Sequence, residues 1–231
     1  MNILALDTSM GACSAAVLLA GGATQRIVLC EERMARGHAE ALMPMVAEVM
    51  TGAGLDFAAL DLIAATLGPG SFTGVRIAIA AARGFALVTG AHLWGTDSLT
   101  VMAKAALESG MVGGSKPFAV AVDARGERLY FGLYDADGRK LAGPLLMEAG
   151  EAATLLPDEL GSAVGNGASH VAEAAMLRGH RVEAKLRDLQ PNAAALAELA
   201  LEADETLSTL RPLYLRPPDT KPQAAAAVAR R

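Results

Sequence analysis

The chain has 231 residues, 52% of them hydrophobic, with a formal charge of −5, which suits one large or two small domains and argues against a grip on nucleic acid through the overall field. Its two cysteines, Cys13 and Cys30, make neither a metal site nor a disulfide framework. No apolar run reaches membrane-spanning length free of charge or glycine, and no basic flank precedes the first apolar stretch, so a cytoplasmic globular protein is expected.

Asn2 to Leu6 reads as a central strand, Asp7-Thr8-Ser9-Met10-Gly11 as a polar turn, and Cys13 to Leu19 as a returning strand. Gly21-Gly22 is the next turn and Ile27 to Glu31 a third strand, completing a β-meander. Asp7, at the first corner, is either a metal, water or phosphate residue or an Asx-turn closing the hairpin; local chemistry favours the turn. His38 to Gly52 has helical spacing, with Leu42, Met45, Val46 and Val49 in one apolar stripe and Met43, Ala47 and Met50 in a second. Pro44 either kinks this helix or marks where its regular part begins.

Leu62 to Thr66 is apolar enough for a buried strand, and Leu67-Gly68-Pro69-Gly70-Ser71-Phe72-Thr73-Gly74-Val75-Arg76 follows it into a helix reaching Thr89. A strand, a glycine loop and a helix N-terminus make an anion cradle in which Asp7, Gly68, Gly70, Ser71 and Thr73 are the phosphate-loop candidates. Plain turn chemistry needs the same Gly-Pro-Gly, with Ser71 or Thr73 as helix cap, so both readings stand. The loop is neither a P-loop nor a dinucleotide fingerprint, because the Lys-Ser/Thr ending and the third glycine spacing are absent. Ile77, Ala78, Ala81 and Phe85 on one side of this helix, and Ile79, Ala82 and Ala86 on another, exceed what one core contact needs. Together with the preceding helix they predict a helix-to-helix partner surface, set against burial within the chain's own fold.

Leu93 to Gly95 is a short strand, Ser98 to Leu107 a helix and Ser109 to Ser115 a glycine-rich joint. The first half then repeats: Ala119-Val120-Ala121-Val122-Asp123 echoes Leu4-Ala5-Leu6-Asp7, Leu129 to Tyr134 returns as a strand, and Asp137-Gly138 turns. Gly165-Asn166-Gly167 leads into a helix from His170 to Leu177, as Gly68-Pro69-Gly70 leads into its own. Gly143 to Gly161, with Pro157, reads as a connecting region. Asn192 caps a last helix through Ala203, and Arg211 to Pro222 is extended by its prolines ahead of a disordered tail.

Motifs for catalysis are missing. There is no His-Glu-x-x-His helix, zinc-spaced cysteine pair or Gly-x-Ser-x-Gly elbow, and His38, His92, His170 and His180 are far apart. Ser71 and Thr73 have no evident base, so capping is favoured over nucleophilic roles.

A doubled meander with Asp at its first corner and a Gly-x-Gly-helix after it resembles the actin-like ATPase superfamily. Ile3 to Ser9, His38-Ala39-Glu40 with Leu42 and Pro44, Leu67 to Arg76, and Pro212-Leu213-Tyr214-Leu215-Arg216 closely resemble the TsaB family over nearly the whole chain. The resemblance implies an α/β protein of two duplicated actin-like (ribonuclease H-like) subdomains, each a mixed sheet with a β-meander flanked by helices. The first, 1–108, carries partner-binding helices, and the second, 109–231, ends in an extended tail. It further implies a noncatalytic accessory subunit that binds and activates the paralogue TsaD in threonylcarbamoylation of the adenosine beside the tRNA anticodon. TsaD holds its metal on a His-x-x-x-His pair, whereas the corresponding stretch here, Gly95 to Ala103, has no histidine, so neither metal nor catalytic residues are expected. By resemblance Leu42, Met43, Val46, Met50, Arg76, Ile79, Ala80 and Arg83 form the TsaD interface, which a homodimer of the chain alone imitates. TsaE joins the complex, tRNA binds through it, ATP or ADP lies at a complex interface rather than on this chain alone, and no membrane is involved. The alternative is a small actin-like nucleotide-binding ATPase or kinase using Asp7, Gly68, Gly70 and the Gly165-Asn166-Gly167 loop. A tRNA-binding module is a third reading, disfavoured by the acidic balance.

Overall fold

The computed structural model describes residues 1–21, 24–124 and 126–215. The sequence expectations for Gly22, Arg125, Arg216 and the tail beyond it therefore lie outside the described residues.

In the first lobe, β1 (Asn2–Asp7), β2 (Ala12–Ala20) and β3 (Gln25–Arg33) form the expected meander. β4 (Leu62–Thr66) and β5 (His92–Thr96) add parallel strands in the order β3-β2-β1-β4-β5. In the second lobe, β6 (Phe118–Ala124), β7 (Arg128–Tyr134), β8 (Lys140–Glu148), β9 (Ser162–Val164) and β10 (Glu183–Lys185) give β10-β9-β6-β7-β8. Each sheet is an antiparallel meander extended by two parallel strands from its first strand, so the fold is one α/β unit present twice, as the sequence repeat implies.

Helices α1 (His38–Ala53) and α2 (Phe72–Thr89) pack on one face of the first sheet, against Leu4, Leu6, Val17 and Ile63. α1 runs through Pro44 unbroken. Among the described residues α2 is the one helix long and apolar enough to cross a membrane; its Val75, Ala78, Ile79 and Ala82 are committed to this core. α4 (Ala149–Ala152) and α5 (Ala168–Met176) cover one face of the second sheet.

The two remaining helices cross over. α3 (Ser98–Glu108), which follows β5, lays Leu99, Met102, Ala103 and Ala106 on Phe118, Val120 and Tyr134 of the second sheet. α6 (Ala193–Leu201), which follows β10, covers the free face of the first sheet at Ile3, Ala5, Leu18 and Ala64. Its alanines let it lie close to that sheet, Asn192 Oδ1 caps it by accepting from the Ala195 N–H at 2.9 Å, and Ser14 Oγ accepts from the Ala193 N–H at 2.9 Å. The crossing helices meet where Lys104 bridges to Glu198 at 3.0 Å and Glu202 at 3.3 Å. Packing thus crosses the 108/109 division that the sequence repeat suggests.

One expectation fails in the second lobe. The stretch 143–161, read as a connector, holds most of β8 and all of α4. Gly143 and Pro144 interrupt the apolar alternation, because the β7–β8 ladder shifts register there and a Cβ on Gly143 would meet the Gly132 Cα at 2.9 Å.

Candidate functional site

Asp7 ends β1, fully buried. Burial pushes its carboxyl from 3.8 up to about 6, against the hydrogen bonds from Thr66 and Ser9, which pull it down, with a small upward push from Glu31. Thr66 Oγ1 donates to Asp7 Oδ2, as does Ser9 Oγ at 2.8 Å, and the Ser9 N–H donates to Oδ1 at 3.3 Å. Ser98 Oγ closes the group by donating to Ser9 Oγ at 3.2 Å. Sequence reasoning singles out neither Thr66 nor Ser98. The signal for Thr66 is register: β1 and β4 pair Leu6 with Ala65, so the next residue on each strand comes alongside.

The glycine loop is pressed onto this corner. A Cβ on Gly70 would collide with the Ser9 carbonyl oxygen, and one on Gly74 with that of Thr8. The Ser71 N–H donates to Ser9 O at 2.8 Å, the Ala78 N–H to Thr8 Oγ1 at 3.1 Å, and Thr8 Oγ1 in turn to Gly74 O at 2.6 Å. Ser71 Oγ caps α2 by accepting from the Gly74 N–H at 2.9 Å, while Thr73 is an exposed residue of the first turn. Backbone contact therefore accounts for the loop glycines without a ligand.

The second lobe repeats the arrangement more openly. The Gly167 N–H donates to Ala121 O at 3.1 Å and the Asp123 N–H to Asn166 Oδ1 at 2.9 Å, but the Asp123 side chain stays exposed, 3.7 Å from His170. Side chains of the two lobes meet at the seam between them. Met10 of the first lobe packs against the same core of Leu99, Met102 and Phe118 as Val122, Tyr130, Leu186 and Leu189, Gln190 Oε1 accepts from the Gly11 N–H at 2.8 Å, and Lys140 pairs with the buried Asp97. His38, at the start of α1, is spent on Met10 O at 3.0 Å, and burial pushes the Cys13 thiol up to about 12.

The eight residues assigned by resemblance to a partner interface divide in two. Leu42, Val46, Met50 and Ile79 are buried in the first lobe's own core, which corrects their placement on an outer surface of this chain. Met43, Arg76, Ala80 and Arg83 lie on the outside. With them on the outer faces of α1 and α2 are Ala47, Phe72, Gly84, Leu87 and Val88, the last two 87% and 86% exposed. This is an apolar, small-residue face of a kind that fits close helix packing. The chain's last described segment runs beside it: Leu207 bridges to Leu93, the Leu213 N–H donates to Leu67 O at 2.7 Å, and Thr209 Oγ1 accepts from Arg83 at 2.7 Å.

A family model described as TsaD, tRNA N6-adenosine threonylcarbamoyltransferase, matches residues 30–204. The TsaB protein of Escherichia coli, named for tRNA threonylcarbamoyladenosine biosynthesis, is 36% identical over 137 residues, which cover 59% of this chain and 56% of that one. The chain thus spans about half the length of the curated TsaB relatives it matches. An uncharacterized protein of Mycobacterium tuberculosis is 31% identical over 226 residues, 96% of this chain and 95% of that one. A solved structure of YeaZ, another name for TsaB, from Pseudomonas aeruginosa is 30% identical, with a TM-score of 0.78 over 92% of this chain and 100% of that one. From the span of the family model and these relatives, the chain belongs to the TsaD-like family, in its TsaB branch.

Proposed function

We propose that this chain acts in tRNA threonylcarbamoyladenosine biosynthesis as a noncatalytic accessory subunit. It docks the outer faces of α1 and α2 onto the paralogue TsaD and holds it in its active form. The observation that carries the reading is the outer face of α2 at Ala80, Gly84, Leu87 and Val88, which no described residue covers, beside the exposed Met43 and Ala47. TsaD shares the family model, so its corresponding helices offer a face of the same kind, and a second copy of this chain takes that place when TsaD is absent. Docking raises activity by binding the productive TsaD conformation more tightly than the other, which shifts its population. TsaE and tRNA then join through the assembled complex, with ATP or ADP at an interface within it.

The test is threonylcarbamoyl transfer to tRNA by cognate TsaD and TsaE, with and without this chain, the threonylcarbamoyl-adenylate donor being supplied. Transfer only in its presence, and none from this chain alone, is the expected result. Equal transfer without it overturns the proposal and returns attention to a nucleotide-binding ATPase or kinase reading, for which titration of the isolated chain with Mg-ATP is the direct check.

A further inference from the structure

A cavity of about 330 Å³ opens where the joint between the lobes passes over the starts of β6, β9 and β10. The ladders place Ser162 beside Phe118 on one strand and Glu183 on the other. Side chains alternate along a strand: Ala163 packs on the α5 side, Phe118 and Val164 on the α3 side, and Ser162 therefore points to the α3 side, into the cavity. Ser162 is only 5% exposed, yet its hydroxyl has no hydrogen-bond partner among the described residues and opens to this space.

The walls are preformed. Lys185 Nζ donates to Met111 O at 3.1 Å and pairs with Glu183 at 3.1 Å. Ser109 Oγ accepts from the Met111 N–H at 3.2 Å and donates to Ala106 O at 2.6 Å. Gly113, at φ +89°, seats the joint against Leu107 and Ala136. Lys116 lies along Gly161 at the rim, and its ammonium has no ion-pair partner among the described residues.

Glu183 and Lys185 neutralise each other, so the charge left over is positive. Donors without a partner among the described residues are the Lys116 ammonium, the Ser162 hydroxyl and the N–H groups of Gly113 and Gly114. These donors suit an oxyanion, and the Lys116 charge, unpaired among the described residues, favours an anion over a cation. We propose that this cavity binds a small ligand through a phosphate or carboxylate group, held by Lys116 and Ser162. The site is separate from the α1–α2 face and does not depend on the function proposed above.

The test is an amide chemical-shift titration of the full chain with inorganic phosphate and, separately, with acetate, each against sodium chloride at matched ionic strength. Saturable shifts confined to 110–116 and 161–163 are expected, and Lys116→Ala and Ser162→Ala each weaken binding about tenfold. Response to phosphate alone identifies a phosphate-bearing ligand, response to acetate alone a carboxylate, and response to both the shared oxyanion chemistry. No saturable shift with either anion, or equal binding by Lys116→Ala, which alters only an exposed side chain, overturns the proposal.

Discussion

Tyr214 accepts a hydrogen bond at 2.7 Å from the Nε of Arg76, a residue 138 positions earlier in the chain. The Arg76 guanidinium lies 3.6 Å from the centroid of the Phe72 ring, and the Phe72 and Tyr214 rings stack at 5.2 Å. The end of the described chain is thereby strapped to the first turns of α2, beside the proposed docking face.

Loss of this strap lowers stability measurably. Tyr214→Ala removes the stacking and the hydrogen bond and lowers the unfolding free energy by about 1–2 kcal/mol; Tyr214→Phe, which keeps the ring, costs about 0.5 kcal/mol at this half-exposed position. Urea denaturation reads both. An alanine variant with the wild-type midpoint means the strap adds nothing to the fold.

Substitutions on α1 and α2 separate core from surface. Val46→Glu buries a carboxylate among Leu42, Val49 and Ile63 and destabilises the chain by about 3 kcal/mol or more. Ala80→Glu leaves thermal stability within about 0.5 kcal/mol and abolishes association with TsaD, as read by analytical ultracentrifugation. Undiminished association of Ala80→Glu removes α2 from the interface.

Asp7 makes stability pH-dependent. Its folded value of about 6 lies above the ordinary 3.8, so the native state holds its proton more tightly than the unfolded chain. The associated stability is fully present below 3.8 and is lost as pH rises through about 6, a change of roughly 3 kcal/mol. Asp7→Asn flattens stability across that window. A slope that survives the substitution belongs to another group.

Two glycines of the α2 region respond oppositely to the same change. Gly74→Ala drives a methyl into the Thr8 carbonyl and costs about 1–3 kcal/mol. Gly84, in the same helix, has open space where a Cβ would stand, so Gly84→Ala stabilises by about 0.5–1 kcal/mol. Melting curves of the two variants side by side test the assignment of Gly74 to close backbone packing.

The meander, the glycine loop with its helix and the duplication were legible in the sequence because each rests on local periodicity and on turn residues with narrow backbone preferences. Asp7 to Gly11 and Asp123 to Gly126 mark the same corner twice, and Ser71 and Asn192 announce their helices by capping chemistry. β8 was not legible, because Gly143 and Pro144 break the local pattern and the ladder to β7 restores it only by a shift in register.

The amino-acid sequence by itself determined most of the strands and helices, β8 and α4 excepted, and that one unit recurs, because those features rest on local periodicity and turn chemistry. Tertiary structure alone decided what each apolar stripe faces. Met43 and Met50 share a stripe in sequence, yet Met50 turns into the core and Met43 outward, because α2 and the first sheet cover one and not the other. The same holds for the crossing of α3 and α6 and for the return of Tyr214 to Arg76. Contacts between residues far apart in the chain are fixed by the burial that the whole fold makes possible, and no local pattern encodes them.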